Sequence, residues 1–228
     1  MKAYLAEAIG TFALTFIGVG AISNQPYGGD LLMVALAHGL TIAVMVSATM
    51  SISGGHLNPA VTFGAWLGKK ISSPEALKYG LAQLLGSLIA AYAAAQIFGG
   101  GAVLKGTPSL QNHVTWLQGF SLEAILTFFL VFVVYGTGIS PLAPKVGGLA
   151  IGLTITLDIL AGGPLTGGAM NPARVFGPAL ASGSLLSWSA IPEHLVYWLG
   201  PLAGGGAAGL LCGRYLHLPG ASVPAGTR

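Results

Sequence analysis

The sequence predicts an all-α membrane protein with six transmembrane helices plus two re-entrant half-helices in an inverted repeat. Three features carry this prediction: the composition, the lengths of the apolar segments and a duplicated motif. Of the 228 residues, 54% are hydrophobic and only 7% are charged, whereas a soluble domain has about 25% charged residues. So few charges cannot cover a globule with polar surface, and we therefore expect the surface to face lipid.

Composition also excludes several classes of function. The nine Lys and Arg residues are scattered, without the clustered basic stripe of a nucleic-acid-binding protein. Cys212 is the only cysteine, which excludes an intrachain disulfide and a cysteine-based metal site. We find no nucleophile–base pair and no metal-ligand cluster, so the sequence predicts neither an enzyme nor a cofactor.

Lys2 precedes an apolar run, as in a signal peptide, but Glu7 interrupts that run, so we expect the segment to be retained.

Apolar segments of two lengths occur along the chain. A helix needs about 20 residues to cross a ~30 Å hydrocarbon core. Six segments are long enough, at residues 4–22, 31–51, 77–98, 119–139, 146–163 and 195–216. Two further pieces, Pro59–Leu67 and Pro172–Leu180, have about half that length. In a chain made otherwise of spans, we interpret these two pieces as re-entrant half-helices.

An internal repeat relates the two halves of the chain. Glu7–Phe16 (EAIGTFALTF) matches Glu123–Phe132 (EAILTFFLVF) at an offset of 116, and Leu36–Ile42 matches Leu149–Ile155 at an offset of 113. Each copy has three spans and a half-span, and this odd number of crossings places the second copy upside down. We therefore predict one membrane domain, residues 1–228, built of inverted repeats at about 1–110 and 111–228.

Positive charge indicates the orientation, because cytoplasmic loops are enriched in Lys and Arg. With both termini in the cytoplasm, that side receives Lys2, Lys69, Lys70, Lys78, Lys145, Arg214 and Arg228. The other side keeps only Lys105 and Arg174. We expect a multi-pass protein of the cell (plasma) membrane with both termini cytoplasmic.

Each half-helix begins with an Asn-Pro-Ala triplet. The two triplets are Asn58, Pro59, Ala60 and Asn171, Pro172, Ala173. Asn is a favoured N-cap residue, and Pro is preformed for the first helical position. A capping Asn uses its side-chain oxygen on the helix N–H groups, which leaves its NH₂ group free to donate outward.

Glycine-rich stretches precede both triplets, at Ser53–Leu57 and Pro164–Met170, and we expect both to be extended. Irregular backbone at membrane depth persists only inside protein or beside a water-filled cavity, so the carbonyls here are expected to line a water path. These carbonyls are those of Gly54, Gly55, His56, Gly167 and Ala169. Glu7 and Glu123 are repeat mates within spans, and we expect them to accept backbone N–H groups from the re-entrant loops.

Inverted symmetry brings the two helix starts face to face near the middle of the membrane. Each start has roughly half a positive charge from its aligned peptide dipoles, and Asn58 and Asn171 add two donors. Water or a small neutral solute is acceptable at such a centre, whereas a cation is repelled. A central water that accepts two hydrogen bonds cannot easily pass a proton along a file of waters.

The motifs HLNPAVT and MNPAR within an inverted repeat make the chain similar to the aquaporin (major intrinsic protein) family over essentially its whole length. The resemblance implies the aquaporin fold and a homotetramer in which each protomer has its own pore. It also implies a passive channel for water and small neutral solutes that excludes protons and ions. Water, the solute and membrane lipid are then the expected partners.

The resemblance places the selectivity filter at His38, Ile159, Gly168 and Arg174. An arginine inside the membrane is costly and marks function; here it can donate to solute and repel cations. Typical water-selective members have Phe at the first position and His at the second. The present set is most similar to that of the ammonia-permeable tonoplast intrinsic proteins. Without the large ring and the second histidine, the constriction is wider and half-apolar, and we expect it to admit ammonia as well as water.

Two residues near the filter have open roles. Asp158 either pairs with His38 or Arg174, or caps the loop expected to begin at Gly162. His113 is the candidate for a histidine that joins the filter from the third loop in related plant channels.

Several alternatives remain open on the sequence alone. A water-only aquaporin, or a broader channel for urea, hydrogen peroxide or glycerol, fits the same fold. A secondary transporter also uses inverted repeats and broken helices, but it needs a coupling-ion site for which the acids are few. A junction-forming member of the fold would assemble with negligible permeability.

Overall fold

The computed structural model describes residues 1–23, 30–140, 142, 144–187 and 191–216. Within these residues the secondary structure is helical. The α-helices are α1 (Lys2–Ser23), α2 (Leu31–Ser53), α3 (Pro59–Leu67), α4 (Ser73–Phe98), α5 (Gly100–Gly106), α6 (Trp116–Val134), α7 (Gly147–Thr166), α8 (Pro172–Ala181) and α9 (Ile191–Leu211). A 3₁₀ turn follows α8 at Ser184–Leu186, and π-helical turns extend α6 and α9 at Tyr135–Ile139 and Cys212–Leu216.

Six of the described helices are long and apolar enough to span a membrane, which confirms the predicted spans. Three of them, α4, α6 and α9, begin three or four residues earlier than the apolar segments suggest. The starts of α4 and α6 are held by caps: Ser72 accepts from the N–H of Glu75, and Thr115 forms a capping box with Gln118. Capping groups satisfy N–H groups that the helix itself leaves free, so a helix can begin before its apolar stretch does.

Equivalent helix crossings in the two halves depend on equivalent glycines. In the first half, α1 and α4 cross where a Cβ at Gly86 would lie 2.9 Å from Cα of Ala8. In the second half, α6 and α9 cross where a Cβ at Gly204 would lie 3.0 Å from Cα of Ala124. Small residues allow this close approach of helices in a bilayer.

The two half-helices hold the halves together. Helix α3 packs against α9, and α8 packs against α4, so each half-helix contacts the third long helix of the other half. Gly64 of α3 meets Gly205 of α9, and its repeat mate Gly177 of α8 meets Ser87 of α4. The two re-entrant segments therefore meet inside the bundle from opposite sides.

The extended stretches before the half-helices are shorter than the sequence suggests. Helix α7 continues through Pro164 to Thr166, so the predicted extended stretch Pro164–Met170 is wrong over its first three residues. A proline near the end of a helix removes only one internal hydrogen bond. Both α2 and α7 end instead at left-handed glycines, Gly54 (φ 88°) and Gly167 (φ 83°), which take this conformation without a Cβ penalty.

Candidate functional site

Glu7 of α1 is fully buried and anchors the loop that enters α3. Its carboxylate accepts backbone N–H groups from His56 (3.0 Å) and Leu57 (2.6 Å). It also accepts from Ser53 Oγ (2.6 Å) and Gln83 Nε2 (2.7 Å). A buried carboxylate with four donors fixes the path of the chain just before the first Asn-Pro-Ala triplet.

Glu123 of α6 makes the equivalent contacts in the second half. It accepts from the N–H groups of Ala169 (2.9 Å) and Met170 (2.7 Å) and from Thr166 Oγ1 (2.7 Å). Its side chain is completely buried. Both re-entrant loops are thus tied to a carboxylate on the first long helix of their own half.

The two asparagines meet at the centre and are joined to each other's loops. Asn58 Oδ1 accepts from Ala60 N (2.8 Å), and Asn171 Oδ1 accepts from Ala173 N (3.0 Å), so both cap their half-helices. Each Nδ2 then donates across the centre: Asn58 to the carbonyl of Met170 (2.8 Å), and Asn171 to the carbonyl of Leu57 (3.0 Å).

This exchange corrects the expectation that both NH₂ groups are wholly free. One N–H of each amide is used to lock the loops, and one is left for a molecule at the centre. The accepting carbonyls belong to Leu57 and Met170, which adopt positive φ angles of 52° and 51°. Neither residue type favours that conformation, so the sequence contains no signal for the exchange.

A narrow passage leads away from the asparagines on one side. Its lining includes Gly55, His56, Asn58 and Asn171, and its other lining residues are apolar: Ile42, Val46, Val61, Leu130, Val134, Ile151 and Ile155. His56 is held by a hydrogen bond between its Nδ1 and Thr62 Oγ1 (3.1 Å). A file of water in this passage would find few polar partners.

A wider cavity of about 370 Å³ opens on the other side. Arg174 and Ile159 lie in its wall together with Lys105 and Gly167. The two charged residues that line it, Lys105 and Arg174, are both cationic. The structure therefore places a positively charged mouth above the predicted filter.

Arg174 is 4% exposed and is held by two acceptors. Its Nε–H donates to His38 Nε2 (3.3 Å), and Nη1 donates to the carbonyl of Gly106 (2.8 Å). Because His38 Nε2 accepts, the ring proton is on Nδ1, which donates to the carbonyl of Val34 (2.8 Å). Both nitrogens of the neutral imidazole are therefore occupied by the protein. A guanidinium has five N–H donors, so those not used here can face the cavity.

The two other predicted filter residues, Ile159 and Gly168, lie against each other. A Cβ at Gly168 would be only 3.2 Å from Cα of Ile159, so the two residues are in direct contact. Ile159 is 3% exposed and shares the cavity wall with Arg174. The structure thus brings the four predicted positions to the same end of the passage. His38 and Arg174 have polar side chains, whereas Ile159 and Gly168 have no polar side-chain atoms.

The expectations for Asp158 and His113 are not met. Asp158 is buried, but it makes no hydrogen bond or ion pair to His38 or Arg174, and its Oδ2 has no partner among the described residues. It does not cap a loop either, because α7 continues past Gly162. His113 is exposed and is not among the residues that line the cavity.

The third loop contributes to the site through Gly106 and not through the predicted His113. This loop folds into the short helix α5, and the carbonyl of its last residue, Gly106, holds Arg174. A backbone acceptor depends on where the chain passes and not on the side chain, so no residue type indicated it.

Six spanning helices, with two half-helices that meet around a polar passage, define an integral multi-pass membrane channel. The model of the Major intrinsic protein family matches residues 1–212, and the chain belongs to this family. Its members are passive channels for water and small solutes and are not enzymes.

Relatives within the family share most of their length with this chain. The chain is 42% identical to aquaporin TIP2-1 of Arabidopsis thaliana, over 98% of this chain and 92% of the relative. It is 45% identical to aquaporin TIP4-4 of Zea mays, over 92% and 85%. The aquaglyceroporin from Plasmodium falciparum has the same fold, with a TM-score of 0.80 at 24% identity over 94% of this chain and 96% of that one. The TIP-type relatives give no support to the expected location in the cell (plasma) membrane.

Mercury is expected to inhibit this channel weakly. Cys212 is fully buried where α9 passes into its π-helical turn, away from the cavity that contains Arg174. Mercurials react with accessible thiolates, and none of the four predicted filter positions is a cysteine. We expect mercuric chloride to leave the water permeability of proteoliposomes nearly unchanged. Potent block that disappears in Cys212→Ser would contradict the assignment of the pore.

Proposed function

We propose that this channel conducts water and ammonia as neutral molecules and excludes protons and ions. The observation that carries the proposal is the filter, in which neutral His38 holds Arg174 on one side while Ile159 and Gly168 form the other. Only one of its two sides offers polar side chains.

Such a filter favours solutes that need few hydrogen bonds. A molecule in the constriction replaces its hydration with whatever the walls provide, and an unpaired polar group in an apolar site is costly. The wall of Ile159 and Gly168 has no side-chain donor or acceptor. Ammonia is close to water in size and tolerates apolar surroundings better, so it should pass together with water.

Proton exclusion follows from the centre of the pore. After the exchange of hydrogen bonds, Asn58 and Asn171 each have one N–H left to donate. The starts of α3 and α8 add the positive ends of two helix dipoles. A water that accepts from both amides has its lone pairs occupied and cannot relay a proton.

Cations are excluded by the positive charge that lines the wider cavity. Lys105 and Arg174 line the cavity, and the helix dipoles lie behind them. An ammonium ion therefore meets positive charge at each stage, whereas neutral ammonia does not.

The assembly is proposed to be a homotetramer with one pore in each protomer, surrounded by lipid. The excess of Lys and Arg on one side supports cytoplasmic termini. The tetramer and the separate pores are what the resemblance to the aquaporin family implies for this chain.

The test is a pair of flux measurements on purified protein in liposomes. Water flux is followed by light scattering after an osmotic step, and ammonia entry by the rise in internal pH. We expect both to exceed the values of protein-free liposomes severalfold. Water flux alone would identify a water-only aquaporin and contradict the ammonia proposal. Entry of urea, hydrogen peroxide or glycerol at similar rates would identify a broader channel.

A further inference from the structure

We propose that two residues of α1, Gly18 and Val19, form the seat of the filter, and that Gly18 is a positioning residue for solute selection. We name these two residues the α1 seat. The inference rests on the proposed function and deepens it, because it adds to the predicted filter a segment that does not touch the solute.

The imidazole of His38 lies directly on the backbone of Gly18. A Cβ at Gly18 would fall against Nε2 of His38, and would be 3.0 Å from Cε1 and 3.1 Å from Cδ2. Real Cβ atoms essentially never come as close to another atom as this Cβ would come to Nε2. The ring edge that faces Gly18 contains Nε2, the nitrogen that accepts from Arg174.

The second group that holds Arg174 rests on the next residue of α1. A Cβ at Gly106 would lie 2.9 Å from Cγ2 of Val19 and 3.2 Å from its Cα. The carbonyl of Gly106 accepts from Arg174 Nη1, and Val19 is fully buried. Both acceptors of the guanidinium are therefore positioned by adjacent residues of one helix.

The inverted repeat offers an internal comparison. The residue equivalent to Gly18 at the offset of 116 is Val134, whose side chain lines the narrow passage on the other side of the asparagines. A β-branched side chain is thus compatible with this place in the helix. What differs at Gly18 is the imidazole that occupies the space of the missing side chain.

A methyl group at Gly18 would therefore displace His38. The ring has little room to retreat, because its Nδ1 is held to the carbonyl of Val34 on the same helix. Alanine favours helices more than glycine does, so α1 itself would not be weakened. Arg174 would lose its Nε acceptor and gain freedom to move toward the pore axis, which narrows the filter.

The test compares Gly18→Ala with Gly20→Ala in proteoliposomes that contain equal amounts of protein. A Cβ at Gly20 would lie 3.3 Å from the ring of Phe98 and would not touch the filter. We expect Gly18→Ala to lower the ratio of ammonia to water permeability severalfold and Gly20→Ala to leave it unchanged. An unchanged ratio in well-folded Gly18→Ala would overturn the proposal.

A double-mutant cycle with His38→Ala shows whether the effect passes through the ring. Without the imidazole, Gly18→Ala should have no further effect on the ratio; an equal effect in both backgrounds would contradict the α1 seat. If Gly18→Ala alone fails to fold, the double variant should recover the yield, and failure to recover would also reject the proposal.

Failure of the proposed function can be told apart from failure of the α1 seat. If the wild type passes water but no ammonia, the proposed function fails, and the α1 seat is then tested on water permeability. Gly18→Ala should lower that permeability in the wild-type background and leave it unchanged in the His38→Ala background.

Discussion

Replacing Glu123 by alanine is expected to abolish the folded channel. The carboxylate accepts three hydrogen bonds, from Thr166, Ala169 and Met170, in a completely buried position. Removing it leaves three buried donors without partners. Each such donor costs roughly 1–3 kcal/mol, so the total is comparable with the whole stability of a typical domain, about 5–15 kcal/mol.

The measurement is the yield and thermal stability of the purified protein in detergent. Glu75→Ala is the matched control, because Glu75 is a partly exposed acid of α4 that pairs with Lys78 and Tyr4. We expect the control to purify like the wild type and Glu123→Ala to aggregate or unfold. Wild-type yield and melting temperature in Glu123→Ala would show that the second re-entrant loop does not depend on this anchor.

Replacing His38 by phenylalanine is expected to remove most of the ammonia permeability and to preserve water permeability. Phenylalanine cannot accept from Arg174 Nε, so the guanidinium loses one of its two protein acceptors. The larger ring narrows the filter, and the freed Arg174 can move toward the pore axis. The Nε–H of Arg174 also becomes available to a solute. A narrower filter with more free donors favours water over ammonia.

His113→Phe is the matched control for this substitution, because His113 is exposed and is not among the residues that line the cavity. Both variants are measured for osmotic water flux and for ammonia entry, at equal protein content. We expect the control to retain both fluxes. If His38→Phe retains ammonia flux, or if His113→Phe loses it, the assignment of the filter to His38 is wrong.

The spans and the half-helices could be predicted because the bilayer imposes them. An apolar run either has the length to cross the hydrocarbon core or does not, and the Asn-Pro start of Pro59–Leu67 agrees with the observed helix to the residue. The short helix α5 was missed, because three consecutive glycines at its start conceal it. The helix starts at Ser73 and Trp116 were missed because hydropathy does not register the capping groups of Ser72 and Thr115.

Within the site, the polar side chains could be predicted because they stand out in apolar surroundings. The loop N–H groups that Glu7 and Glu123 accept could be predicted as well. The acceptors of the two asparagines and Arg174 could not, because they include the carbonyls of Leu57, Gly106 and Met170, whose positions depend on the tertiary fold. Gly18 had no signal either, since it is one of 36 glycines.

Ammonia is expected to cross this channel as a neutral molecule. The test applies an inward ammonium chloride gradient to proteoliposomes that contain both a pH indicator and a voltage indicator. Neutral ammonia binds a proton inside, so we expect rapid internal alkalinisation that the channel accelerates, with no change in membrane voltage. An inside-positive voltage that develops with the gradient would mean that ammonium itself passes, and would contradict the role assigned to Arg174, Lys105 and the paired asparagines.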